Sequence, residues 1–306
     1  MIDSIVDFYK HLPHLWHHAI HRVKHEWKWF ILPVLISAIL LIALMVSFHV
    51  KGTPDLNQAR WYYRLSAFTS FMFVWFAIYR GYKLFEEDYW YNRQLSLTPV
   101  VHNVLVAIIY SVLLGIMEII YIVATPLNIE SSVLAVLFFM LMSVIFIILS
   151  STILGQFTLV SNKVDIIYFI LSVVIFILLP IWYIPTSYDS LVTHLLMINP
   201  VFYLVDGMAQ SVVLGVVSLT NIPYHLYFIF ILAIGFVINY GLTRYVVYKK
   251  YEVEPRFATV STEETKQTEA TVIEEDEAHR DATTQTTDET NSCLLYTSDA
   301  ADERSS

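Results

Sequence analysis

Six histidines near the N-terminus are the densest group of side chains that could do chemistry: His11, His14, His17, His18, His21 and His25. At 100° per residue, four of them fall on one stripe of a helix: His14, His18, His21 and His25. The opposite stripe is apolar and consists of Leu12, Trp16, Ala19, Ile20, Val23 and Trp27. Histidines spaced four apart can share a metal ion. A cytoplasmic amphipathic helix with a hydrated histidine face is the interpretation we favour, and we predict no metal site.

Common catalytic motifs are missing from the sequence. No GxxxxGK[ST] phosphate loop, HExxH or GxSxG motif occurs, so we predict no catalytic residue and no cofactor in this chain. Two acids, Glu118 and Asp206, lie within apolar segments, where ionisable side chains are functional suspects by default. Glu118 falls near the predicted outer interface, where it either reaches water or contacts a substrate. Asp206 is expected in a cavity between helices.

The composition is that of a membrane protein. Of 306 residues, 57% are hydrophobic and 15% are charged, with a mean hydropathy of +0.58. In soluble domains, charged residues make up about a quarter of the sequence. The formal charge of −9 comes from the C-terminal tail, since residues 1–256 carry 15 basic and 14 acidic side chains and residues 257–306 carry 3 and 13. The single cysteine, Cys293, excludes a disulfide framework and any Cys-based zinc or iron–sulfur site.

Long apolar runs predict six membrane spans, at 30–48, 66–82, 100–124, 132–160, 167–184 and 226–247. The segment 201–219 is also apolar but carries Asp206, Gln210 and two glycines. Twelve basic residues of the body lie on the side of the two termini and three on the other side. This asymmetry predicts cytoplasmic N- and C-termini and therefore an even number of crossings. We expect 191–219 to be a re-entrant hairpin before the last span, with a seventh span as the alternative.

The chain thus divides into four predicted regions. Residues 1–29 form the cytoplasmic amphipathic helix and residues 30–250 the transmembrane domain. Residues 251–292 are expected to be a disordered acidic tail, because its long run without aromatic side chains cannot bury a core. Residues 293–306 change composition abruptly and resemble the translated read-through of a sequencing adapter, so we expect no function for them.

Three local patterns resemble the permease subunits of type-2 ABC exporters, most closely the branch that exports polysaccharides and teichoic acids. Residues 179–185 (LPIWYIP) are similar to the proline-plus-aromatic ending of the family's fifth span. Residues 198–207 (INPVFYLVDG) are similar to its Asn-Pro, aromatic, acid and Gly run. The stretch 83–99 matches the position of its coupling helix. Where many members place an arginine three residues after the acid, this chain has Ala209, so Asp206 loses the usual charge partner.

The resemblance implies a homodimer of permeases in the cell membrane, driven by two partner ATPase chains that hold ATP and Mg. The implied cargo is a lipid-linked glycan polymer of the cell envelope, and no nucleic-acid partner is expected. The implied contacts with the ATPase are Glu87, Asp88, Tyr89, Trp90, Tyr91 and Arg93, with a solvated loop carrying interfacial aromatic residues as the alternative. A possible substrate path includes Trp75, Trp182, Tyr183, Tyr203 and Asp206, although an interfacial aromatic belt explains the aromatic residues more economically.

Two alternatives stay open. One is a type-2 ABC exporter of drugs or lipids, which shares the expected fold and the ATPase partner. The other is a membrane-embedded enzyme of envelope synthesis, which the lack of an acid–base cluster disfavours.

Overall fold

The computed structural model describes residues 2–94, 100–126, 129–161, 163–182, 184 and 191–248. The predicted regions 251–292 and 293–306 lie outside these residues. The described chain is helical apart from short connections and one isolated parallel bridge, between Glu130 and Leu214. The helices are α1 (Ile2–His25), α2 (Trp27–Lys51), α3 (Asp55–Gln94), α4 (Val101–Ala124), α5 (Val133–Thr158), α6 (Val164–Ile177), α7 (Leu191–Met197), α8 (Pro200–Val213) and α9 (Ile222–Tyr248).

Four helices, α2, α4, α5 and α9, are long and apolar enough to cross a membrane. They coincide with the predicted spans at 30–48, 100–124, 132–160 and 226–247. The chain is therefore an all-α, multi-pass membrane protein, as the sequence predicts.

The other two predicted spans take different forms. Residues 66–82 lie within α3, a helix of 40 residues. α3 is not among the four helices that are apolar enough to cross a membrane, because polar side chains interrupt its apolar run. Residues 167–184 begin in α6, which has 14 residues and ends at Ile177, before turns that contain Pro180. A 14-residue helix is about 21 Å long, shorter than the ~30 Å hydrocarbon core. The six-span count and the re-entrant hairpin therefore stay predictions.

α3 is the central helix, and it packs against α2, α4, α5 and α8. α8 is buried on all its faces, since every side chain from Val201 to Val212 is buried. Its start is capped by Asn199, whose side chain accepts a hydrogen bond from the Val201 N–H at 3.0 Å, and Pro200 occupies the first turn. α8 runs antiparallel to the first half of α5, because the Ser132 N–H donates to the Ser211 carbonyl at 2.9 Å while the ring of Phe139 lies beside Tyr203.

α1 is helical, and part of its predicted apolar stripe packs against α4. Ala19 is buried against Val101 and Leu105, with Leu12, Ile20 and Val23 packed around them. Trp16 and Trp27, which belong to the same predicted stripe, are exposed. Three of the histidines are exposed as well, His17, His21 and His25. Within the part of the chain that the structure describes, no group of three or more metal-ligating side chains occurs.

Candidate functional site

The predicted ATPase contacts lie at the C-terminal end of α3. Residues 83–94, which we call the α3 extension, continue the helix of the predicted second span without a break. Tyr89 is half-buried and stacks on Phe85, with ring centres 6.4 Å apart. The side chains of Trp90, Tyr91 and Arg93 lie outside the described part of the chain, so their roles stay predictions.

Two of the predicted contact residues, Glu87 and Asp88, form ion pairs with α1. Arg22 contacts the carboxylates of both Glu87 and Asp88, the latter at 2.5 Å. The side chain of Asp88 is only 4% exposed, whereas that of Glu87 is 56% exposed. Burial raises the pKa of Asp88 to about 6, and the neighbouring Arg22 guanidinium lowers it. Glu87 is therefore accessible to a partner, while Asp88 already has an internal partner.

Two further ion pairs hold the same region. Arg80 pairs with Glu26, which connects α3 to the turn after α1. Lys83 pairs with Asp165 at 2.5 Å, and the Tyr82 hydroxyl donates to the same carboxylate at 3.0 Å. The hydrogen bond from Lys83 holds the pKa of Asp165 below its usual range. The end of α3 is thereby connected to α1 on one side and to α6 on the other.

Trp75 and Trp182, two residues of the predicted substrate path, belong to one row of aromatic rings between α3 and α6. Trp75 stacks on Phe71 at 5.4 Å and on Tyr168 at 5.0 Å, and its indole N–H donates to Ser172 at 2.5 Å. Phe176 lies 5.5 Å from Phe71 and 6.1 Å from Trp182, which is 67% exposed. We call these rings the aromatic row: Phe71, Trp75, Tyr168, Phe176 and Trp182. Tyr183 lies outside the described residues.

Tyr203 and Asp206, the other two path residues, lie together on α8. Asp206 is 2% exposed and accepts hydrogen bonds from the Tyr63 hydroxyl and from Gln210 Nε2, the latter at 2.7 Å. Tyr203 lies one turn earlier, where its hydroxyl is 2.6 Å from His225 Nδ1 and its ring stacks on Phe228. A small cavity touches both residues. Its remaining lining consists of Phe139, Gly207, Gln210, Ser218, Asn221, Tyr224 and His225.

The position that many members of the resembled family fill with arginine, Ala209, is buried. The partners of Asp206 are Tyr63 and Gln210, both neutral. Gln210 is four residues after the acid, so helical spacing alone could have suggested that contact. Tyr63 is 143 residues away in the sequence, and no local pattern indicates it.

Glu118 does not reach water, so that interpretation is wrong. Its side chain is fully buried and accepts hydrogen bonds from Ser66 at 2.7 Å and from Ser70 at 3.0 Å. Ser66 and Ser70 are four residues apart on α3 and therefore share one face of the helix. This face of α3 encloses the side-chain carboxyl group of Glu118, which lies on α4.

No protein-family model and no curated protein matches this sequence. The resemblance to type-2 ABC exporters rests on the short motifs given above, and the ATPase partner, the homodimer and the glycan cargo stay predictions.

Proposed function

We propose that the chain is the permease subunit of an ATP-driven ABC exporter, acting as a homodimer with two ATPase subunits in the cell membrane. Its termini lie in the cytoplasm, and α7 and α8 form the re-entrant hairpin before the last span. The cargo is a lipid-linked polysaccharide or teichoic acid. ATP and Mg are held by the partner ATPase.

The continuity of α3 is the observation that carries this proposal. A permease without a phosphate loop needs a rigid element that transmits motion from an external ATPase. α3 runs unbroken from Asp55 to Gln94, about 60 Å at 1.5 Å per residue. Its first part packs against α4, α5 and α8, and its extension carries the exposed Glu87. A push on the α3 extension is therefore transmitted to α8 and to the Asp206 cavity.

The aromatic row supports a glycan cargo. Sugar rings stack on aromatic faces, and a path for a polymer needs a series of such faces along its length. The row follows α3 and α6 from Tyr168 to the exposed Trp182. Trp75 and Trp182, which are 107 positions apart in the sequence, thus belong to one series of contacting rings, of which Trp182 is the exposed end.

ATPase docking is expected to depend on the aromatic residues of the α3 extension. Trp90→Ala and Tyr91→Ala should each weaken docking by on the order of 2 kcal/mol, because Trp and Tyr dominate well-packed interfaces. The measurement is co-purification of the ATPase with tagged permease from the native host, together with an export assay. Trp61→Ala, at the opposite end of α3 and 49% exposed, is the matched control and should bind like wild type.

Unchanged co-purification and export in both variants would mean that the α3 extension is solvated and does not couple. A loss of permease from the membrane, in contrast, would point to a structural role for these side chains and would also contradict the docking prediction.

Cysteine labelling tests the proposed topology. Asn57 is exposed near the start of α3. In a Cys293→Ser background, a cysteine at this position should react with an impermeant thiol reagent applied outside intact cells. A cysteine at the exposed Lys163 should react only after the membrane is opened. External labelling at Lys163 would contradict the cytoplasmic placement of the loop between α5 and α6.

A further inference from the structure

Asp206 and Glu118 are buried acids that form no ion pair within the described part of the chain. The ion pairs found there involve Glu26, Glu87, Asp88 and Asp165, all near the other end of α3. Taking an ionised carboxylate out of water costs several kcal/mol unless a positive charge compensates it. Each buried acid therefore needs either a proton or a cation.

The hydrogen bonds of Asp206 suit its ionised form. One carboxylate oxygen accepts from the Tyr63 hydroxyl and the other from the Gln210 amide. A protonated carboxyl group would instead have to donate from one of these oxygens. Donors directed at both oxygens stabilise the negative charge, and an ionised Asp206 then requires a cation beside it.

The cavity beside Asp206 has the size and lining for such an ion. It has room for about one water molecule, too little for a sugar or a hydrated ion. Its lining includes three residues with side-chain oxygen atoms, Asp206, Ser218 and Asn221. Oxygen ligands are those that hard cations prefer. The aromatic residues Phe139, Tyr203 and Tyr224 also line it, and aromatic rings attract cations.

We propose that Asp206 and the oxygen atoms of Ser218 and Asn221 bind one dehydrated monovalent cation, Na⁺ or K⁺, in this cavity. A single carboxylate gives the site one negative charge, which a monovalent ion neutralises. Binding would connect α8 to Ser218 in the 3₁₀ turn (Gly215–Leu219) and to Asn221, directly before α9. This proposal does not depend on an ATPase partner.

Other titratable groups around Asp206 do not supply this charge. Tyr63 of α3 and Tyr203 of α8 are neutral phenols near neutral pH. The two ring nitrogens of His225, on α9, contact the Tyr203 hydroxyl and the Leu219 carbonyl, so neither of them is directed at Asp206. Tyr224, also on α9, lines the cavity as a further phenol. Glu118 has serine partners of the same kind but does not line this cavity, which makes it the matched control.

The test is thermal unfolding of the purified full chain in detergent at constant pH and ionic strength. Sodium or potassium chloride replaces N-methyl-D-glucamine chloride, whose cation is too large for the cavity. The unfolding midpoint of wild type should rise with Na⁺ or K⁺ concentration and then saturate, as expected for a ligand that binds only the folded state. Glu118→Gln should respond in the same way, and Asp206→Asn should lose the response.

Gln210→Lys tests the site without removing the acid. Its ammonium group, four residues after Asp206 on α8, should replace the bound ion, so the midpoint should be high without salt and insensitive to Na⁺ and K⁺. The proposal is overturned if the wild-type midpoint does not respond to either ion, or responds to pH alone, which would indicate a bound proton. An equal response in Asp206→Asn or Gln210→Lys would place the ion elsewhere and overturn it too.

Discussion

Replacement of Gly207 by leucine is expected to abolish folded protein. Gly207 lies in α8, where a Cβ atom would overlap the ring of Phe139. That ring is 1% exposed and is itself packed against Tyr203 and His225, so it has nowhere to move. Overpacking a core by a few methylene groups typically costs about 1–3 kcal/mol, and a whole leucine side chain against rigid neighbours should exceed that range.

The measurement is the yield of monodisperse protein after membrane extraction, with the thermal midpoint of whatever remains. Gly241→Leu is the control, because Gly241 lies in α9 and no atom is found within 4 Å of its added Cβ. It should accumulate like wild type. Equal accumulation of the two variants would show that α8 does not pack closely against α5.

Replacement of Arg22 by methionine is expected to destabilise the protein by about 3 kcal/mol at pH 8, because removal of one partner of a buried ion pair leaves the other charge uncompensated. The group left behind is Asp88, whose side chain is 4% exposed. Loss of the contact with the exposed Glu87 adds little, since exposed pairs are worth under about 1 kcal/mol. Lys24→Met, an exposed change on the same helix, is the control and should be close to neutral.

The deficit should depend on pH in a defined direction. Burial already raises the pKa of Asp88 to about 6, and removal of Arg22 takes away a charge that lowers it. A raised folded-state pKa destabilises the folded protein above that pKa, where the carboxylate is charged, and the cost disappears as pH falls through it. The difference between wild type and Arg22→Met should therefore be largest at pH 8, shrink as the pH falls toward 6, and be nearly absent below about pH 6, where Asp88 is protonated in both folded proteins.

Denaturation of the two proteins across this pH range, with proteolysis of α1 as a second readout, checks the prediction. In the variant, α1 should be cut faster at pH 8 because Arg22 connects it to the α3 extension. A deficit that is constant from pH 5 to pH 8 would mean that Asp88 is not the group responsible.

This ion pair also bears on the proposed coupling to an ATPase. α1 binds the segment on which the ATPase is expected to dock, and Arg22 contacts one exposed and one buried acid there. An ATPase that binds Glu87 would compete with Arg22 for the same carboxylate. Arg22→Met should consequently alter docking less than Trp90→Ala does, because an exposed ion pair contributes less to an interface than a tryptophan side chain does.

The sequence by itself determined the membrane class, the helical character and four of the spans. Hydrophobicity and helical period depend on residues close together in the chain, so 30–48, 100–124, 132–160 and 226–247 could be recognised without any tertiary contact. The helix at the N-terminus followed from the same kind of local pattern. These features need no knowledge of what packs against them.

Only the tertiary structure decided how the chemically interesting residues are arranged. Glu118 was expected at the water interface, but the serines of α3 enclose it. Asp206 meets Tyr63, and Asp88 meets Arg22, across 143 and 66 residues of sequence. Such contacts depend on the rotation and crossing of packed helices, which no short segment encodes. For the same reason the aromatic row could not be predicted from any one segment, because its rings come from α3, from α6 and from the turn after α6.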